Sequence, residues 1–220
     1  MQEIHKYIQG FNDFREEYFC CENSPFEILR KGQEPKTMVI ACSDSRTDPS
    51  LLLQCGPGEI FVVRNVANIV PPYETKAGYH GVSSAIEYAV KALKVENIIV
   101  LGHSDCGGIG ALMRNDEVNE TEFVGNWLSM LHDVREDVLD HFGEVSPRSC
   151  KACEMSGVLA SVRNLMTFPW IAERVDSGDL HLHAWYFDMT TGQLRGYDRD
   201  GQKFKTLEMP VPGGATPGGD

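Results

Sequence analysis

Two short apolar runs, Thr37-Met-Val-Ile-Ala41 and Asn97-Ile-Ile-Val-Leu101, constrain this chain most, because each leads directly into a cluster of metal-ligating side chains. Runs of this length, apolar throughout and rich in β-branched residues, have the pattern of parallel strands buried on both faces. The first continues into Cys42-Ser-Asp-Ser-Arg46 and the second into Gly102-His-Ser-Asp-Cys106. The chemistry therefore falls just past the carboxyl ends of two strands. In open α/β sheets that edge is where sites form, above all where neighbouring strands send their connections to opposite faces. Side by side, the two strands would bring Cys42 to His103 and Cys106. Gly107-Gly108 then opens a helix through Met113, whose N-terminus adds amide donors and positive potential.

Two Cys and one His form a catalytic ligand set for zinc. A structural zinc site closes its shell with a fourth Cys or His at short spacing. Here the extra groups are Asp44 and Arg46, which can do acid–base and electrostatic work. The pattern reads as Zn2+ with one exchangeable position, where water can be activated near neutral pH. The plainer alternative is two buried thiols and a core histidine. Asp44 has two roles open to it. It can close the shell as a fourth ligand, or it can bond Arg46 and accept a hydrogen bond from what sits on the metal.

The rest of the chain supplies the layers around these strands. Ile4, Tyr7, Ile8, Phe11, Phe14, Tyr18 and Phe19 recur near helical spacing over residues 1–20, and Ser24-Pro25 starts a short second helix. Residues 1–30 therefore read as a helical arm whose apolar stripe needs a surface to cover. A second strand is expected at Glu59–Val63, a further one at His181–Phe187, and an antiparallel return at Gln193–Tyr197 after the Thr190-Thr-Gly192 turn. Helices are expected over 81–93, 123–142, 150–166 and 170–175. The expected fold is α/β: a mainly parallel four-stranded sheet with an antiparallel edge strand, helices on both faces and the N-terminal helical arm. It forms one domain over 1–209, and the Pro/Gly-rich tail 210–220 is expected to be disordered.

Composition excludes several classes. A net charge of −12 over 220 residues argues against a nucleic-acid partner. No stretch is long and apolar enough to span a bilayer, and the polar Met1-Gln-Glu-Ile-His-Lys6 lacks the apolar segment of a signal peptide. Seven Cys is an odd count, which favours thiols and metal ligands in a reducing compartment over a disulfide framework. The expected location is cytoplasmic.

With Cys42-Ser-Asp-Ser-Arg46 and Gly102-His-Ser-Asp-Cys-Gly-Gly108 stand Phe61-Val-Val-Arg-Asn-Val-Ala-Asn68, Val70-Pro-Pro-Tyr73 and Ala85-Ile-Glu-Tyr-Ala-Val90. Together these resemble the β-class carbonic anhydrases, and within them the plant-type branch. The similarity is strong from Gln33 to Leu112 and weaker from about Phe26 to about Asp198. The resemblance implies zinc-dependent reversible hydration of carbon dioxide to bicarbonate and a proton. It implies Cys42, His103 and Cys106 as permanent Zn2+ ligands, with Asp44 a fourth ligand only in a closed state. Asp44 and Arg46 become catalytic. Gln33, Phe61, Val66, Tyr88 and the Gly107 N–H become the substrate pocket, although Phe61 and Val66 read equally well as core from the residues alone. It also implies a homodimer as minimal unit, with Gln33, Phe61 and Tyr88 reaching across the interface.

Two other functions share these features. One is hydrolysis of carbonyl sulfide or carbon disulfide, linear molecules open to the same attack. The other is a non-catalytic zinc- or bicarbonate-binding module. Some bacterial relatives bind bicarbonate at a second, inhibitory site that uses a tryptophan three residues before the first cysteine. Val39 stands there in this chain, leaving Arg64 without that partner and in a structural or interface role. Cys150-Lys-Ala-Cys153 reads as structural, His181 and His183 as strand packing, and His80 as a weak candidate for proton transfer.

Overall fold

A computed structural model describes residues 2–19, 24–76, 78–116 and 121–208; the tail expected to be disordered lies outside the described residues. Six strands form one sheet: β1 Thr37–Cys42, β2 Ile60–Asn65, β3 Asn97–His103, β4 His181–Asp188, β5 Gln193–Asp198 and β6 Lys203–Thr206. Their order is β2-β1-β3-β4-β5-β6. The first four run parallel, and β5 and β6 return antiparallel. The parallel sheet of four is thus as expected, and β6 extends the antiparallel edge by a second strand. In Lys203-Phe-Lys-Thr206 only Phe204 is partly buried, packing its ring 5.3 Å from Tyr197 and 6.3 Å from Tyr186. One inward residue is too little for a periodic signal.

The helices are α1 Gln2–Phe19, α2 Pro25–Leu29, α3 Pro49–Leu52, α4 Gly81–Glu87, α5 Gly107–Arg114, α6 Val124–Leu128, α7 His132–Phe142, α8 Pro147–Leu165 and α9 Pro169–Asp176. Alternation along the strands divides the core. Met38, Ile40, Ile98 and Val100 face α4, α8 and α9, packing with Ile86, Val158, Leu165 and Ile171. Val39, Ala41, Ile99 and Leu101 face the other way, against Leu52 of α3 and its neighbour Leu53. A separate cluster joins Cys42 and Cys106 to Ile109, Leu112, Leu128, Leu131 and Val138, so α5, α6 and α7 wall one end of the sheet.

Two expected helices differ in detail. The segment 123–142 breaks into α6, a tight turn at Ser129–Leu131 and α7. The Ser129 hydroxyl donates to the Asn126 carbonyl at 2.8 Å, and Leu131 leaves helical geometry (φ −112°, ψ 14°). Such local side-chain bonds compete with the helix ladder. In 81–93, α4 runs into a π-helical turn at Tyr88–Ala92, with the Leu93 N–H reaching back to the Tyr88 carbonyl at 3.0 Å. The arm is as apolar outside as its stripe implied. Phe14, Tyr18 and Phe19 pack on Phe26 of α2, while Ile4, Tyr7, Ile8 and Phe11 are exposed. Among the described residues no helix is long and apolar enough to cross a membrane.

Candidate metal centre

β1 and β3 are neighbours, with Ala41 opposite Leu101, so their last residues, Cys42 and His103, emerge together at one edge. The chain leaves β1 through α3 toward β2 and leaves β3 through α5 toward β4 on the opposite side. That divergence opens a crevice between the two strand ends. Gly102 lets the loop sit deep. A Cβ there would lie 2.4 Å from Val158 Cγ2, so only glycine admits α8 this closely behind the histidine.

The Cys42, His103 and Cys106 ligand atoms lie within 4.8 Å of one another, and all three residues are buried. The two sulfurs are 3.9 Å apart. Two sulfurs at the usual bond length from one tetrahedral zinc ion stand about 3.8 Å apart. His103 Nδ1 bonds the Ser104 carbonyl at 2.8 Å, which leaves Nε2 to face the sulfurs, buried and without a partner. A buried nitrogen without a partner is costly, and a metal ion removes that cost. The thiols point the same way. Without a cation the Cys106 thiol holds Cys42 low, while the Cys42 sulfur and burial push Cys106 far up. Two adjacent buried thiolates need a positive charge between them. The donor set therefore fits a soft-to-borderline divalent ion such as zinc.

Asp44 and Arg46 sit beside this cluster as a bidentate pair. Arg46 Nε donates to Asp44 Oδ1 at 2.9 Å and Nη2 to Oδ2 at 2.7 Å, and the Arg46 backbone N–H adds a third bond at 3.0 Å. The Arg46 side chain holds the Asp44 carboxyl well below the usual carboxylate range. Arg64 fixes the loop from beneath. Its Nε donates to the Cys42 carbonyl (2.9 Å), Nη2 to the Asp44 carbonyl (2.6 Å) and Nη1 to Asp48 Oδ2 (2.9 Å). The other Asp48 oxygen caps α3. Val39 is fully buried.

The remaining sequence-predicted residues divide into two groups. Gly107 begins α5 next to Cys106, and a Cβ built on it would meet nothing within 4 Å, so no side chain and no neighbour fills the space beside its Cα. Val66 follows Asn65, the β2 partner of Cys42, and touches the space over Gly108. Phe61 and Tyr88 pack together at 5.9 Å, but Phe61 pairs with Met38, four residues before Cys42. At the rise of a strand that is about 13 Å down the sheet. Gln33 is exposed and precedes the amino end of β1. These three are therefore away from their own chain's cysteines.

Other flagged residues take quieter roles. Cys150 and Cys153 are free thiols at the start of α8. Burial raises both, Cys153 to about 12, the opposite of what a redox pair requires. His183 Nε2 pairs with Asn97 Oδ1 at 3.0 Å, and the ring lies 6.2 Å from Trp185. His80 Nε2 bonds the Lys76 carbonyl at 2.9 Å. One residue escaped the sequence reading: Glu154, a buried carboxylate that accepts from the Cys106 N–H. It lies on the α8 face that also buries Gly157, Val158, Ser161 and Leu165. A Glu at helical spacing with core residues was the available signal.

The fold and cluster define a candidate metal site at the carboxyl edge of an α/β sheet. The carbonic anhydrase family profile matches residues 37–194. A carbonic anhydrase of Synechocystis sp. is 38% identical over 197 residues, spanning 89% of this chain and 71% of that protein. One of Synechococcus elongatus is 36% identical over 193 residues, spanning 87% and 70%. The solved structure of the β-carbonic anhydrase CcaA superposes with a TM-score of 0.87 at 35% identity, covering 96% of this chain and 95% of that one. A tetrameric β-carbonic anhydrase of the ascomycete Sordaria macrospora gives 0.80 at 29% identity, covering 89% and 97%. This chain belongs to the carbonic anhydrase family, in its β-class.

Proposed function

We propose that this carbonate dehydratase interconverts carbon dioxide with bicarbonate and a proton, using Zn2+ held by Cys42, His103 and Cys106. The observation that carries the proposal is the orphaned His103 Nε2 facing two sulfurs 3.9 Å apart, next to a carboxylate already tied to Arg46. When bound, the ion supplies a Lewis acid that makes water nucleophilic near neutral pH. Asp44, an acceptor only, would favour a partner at the open position that can donate a hydrogen bond to it and would turn away anions that cannot. To close the shell as a fourth ligand, Asp44 would have to turn an oxygen away from Arg46, which now holds the carboxylate by three bonds. The Gly107 N–H and Gln33 would hold the oxygens of carbon dioxide. Phe61, Val66 and Tyr88 would give it an apolar wall. The proton finally leaves to buffer.

The wall also bears on assembly. Gln33, Phe61 and Tyr88 lie toward the amino end of the strands, away from their own Cys42. A homodimer in which they complete the partner's site accounts for this, and for the exposed aromatic face of α1. The tetrameric Sordaria macrospora relative supports self-association. All five described cysteines are free, which suits a cytoplasmic enzyme.

Stopped-flow hydration of carbon dioxide, with carbonyl sulfide run in parallel, tests the proposal. The expected outcome is rapid carbon dioxide hydration and little sulfide release. Turnover of carbonyl sulfide alone would make the chain a hydrolase, and turnover of neither a binding module. The same assay carries a second expectation. All three Arg64 nitrogens are engaged on the Cys42–Asp48 loop, and the Val39 side chain has no N–H to donate. Bicarbonate should therefore inhibit only as product, without cooperativity. A sigmoidal inhibition curve would contradict this.

A further inference from the structure

The peptide joining Asp105 to Cys106 is gripped at both of its polar ends. Its carbonyl, on Asp105, accepts from Arg46 Nη2 at 3.0 Å. Its N–H, on Cys106, donates to Glu154 Oε1 at 3.0 Å. The other carboxylate oxygen, Oε2, accepts from the Tyr186 hydroxyl at 2.6 Å. Asp105 is held at φ 55°, in the left-handed region, where a residue with a side chain stays only if its surroundings hold it there. Glu154 and Tyr186 are both buried. No cation among the described residues forms an ion pair with Glu154; the neighbouring Lys151 goes to Asp188 instead, at 2.7 Å. Burying a carboxylate without a cation is costly, and packing alone would be better served by an apolar side chain. Something other than packing is gained by keeping it.

The geometry points to Glu154, oriented by Tyr186, as a positioning residue that sets the attitude of the 105–106 peptide and through it both halves of the site. One half is the Cys106 sulfur, whose backbone the N–H anchors directly. The other is the Asp44–Arg46 dyad. The guanidinium nitrogen that bonds the Asp105 carbonyl is the one that bonds Asp44 Oδ2. If Glu154 is lost, the left-handed Asp105 is free to relax and the peptide to turn. Arg46 then loses the acceptor that keeps its guanidinium level with Asp44, and Cys106 changes its angle to the metal. Glu154 touches neither substrate nor metal in this scheme; it acts through a single peptide plane.

The inference rests on the metal reading above, and its test separates the two. Wild-type, E154A, E154Q and Y186F proteins are prepared with zinc for kinetics and with Co2+ for absorption spectra. E154A should lose about 10- to 100-fold in kcat, the range for outer partners of metal ligands, with KM little changed. Its thiolate-to-cobalt and d–d bands should shift. E154Q keeps an oxygen for the Cys106 N–H and should retain most of the rate and nearly the wild-type bands. Y186F should lose less than E154A and show a smaller shift in the same direction. Wild-type kcat and unshifted bands in E154A overturn the inference. So does E154Q as damaged as E154A with unshifted bands, since charge rather than peptide geometry would then be at work. If E154A does not fold, Y186F and E154Q decide by the same readings. A wild-type protein that binds cobalt but hydrates no carbon dioxide sinks the proposed function instead, while the spectra of the variants still judge Glu154.

Discussion

Replacing Cys42 or Cys106 with serine should leave a folded protein that has lost most of its metal and essentially all of its hydration activity. Wild-type protein should carry about one zinc per chain, because the three donors make one site with one position left open. A serine hydroxyl stays protonated at neutral pH and is a poor donor to zinc. The remaining Cys and His cannot hold the ion against dilution or a mild chelator. The rate should fall by at least about a thousandfold, because the metal's part is to lower the pKa of water by many units. The fold should survive because both cysteines sit at strand or helix ends, where the apolar packing of Ile109, Leu112 and Leu128 continues without them. Metal analysis alongside stopped-flow kinetics checks both halves. Full activity in metal-free protein would sink the mechanism.

The parts of this site that the sequence made legible are those carried by pattern. β1 and β3 are buried on both faces, so Met38-Val-Ile-Ala41 and Ile98-Ile-Val-Leu101 read as unbroken apolar runs. Each run ends on a ligand, so the position of the chemistry followed from the position of the strands. The arm was legible because aromatics at helical spacing remain exposed, a pattern that no solvent-facing helix needs. What pattern could not carry was contact made through backbone. Arg64 was expected in a structural or interface role, but the groups it holds were not legible: its three nitrogens bind two carbonyls and a carboxylate of the ligand loop, and carbonyls leave no mark in a sequence. Glu154 was hidden for the same reason, since its link to the ligand loop is the backbone N–H of Cys106. The placement of Phe61 depended on strand register. A β2 shifted by a few residues would have put it beside Cys42, and the sequence holds no signal that fixes that shift.

The second large effect is expected at the dyad. Asp44→Asn keeps the shape of the side chain but turns one oxygen into a donor and removes the charge. The new amide would then face Arg46 donor to donor, at a position where Nη2 now donates to Oδ2 at 2.7 Å. It would also offer a hydrogen at the open position, where Asp44 is proposed to accept one. Loss of one preorganised electrostatic contact of this kind costs about 100- to 1000-fold in kcat, and we expect Asp44→Asn to fall in that range. Arg46→Ala should fall nearly as far by a different route. Asp44 would keep only the backbone N–H of residue 46 and could swing toward the metal as a fourth ligand, while the Asp105 carbonyl would lose its donor. Because both substitutions break one unit, the double variant should be little worse than the worse single one. Zinc content should be unchanged throughout, which separates this loss from that of the cysteine variants. A near-normal rate in either single variant, with metal in place, would reduce the pair to a structural ion pair at the mouth of the site.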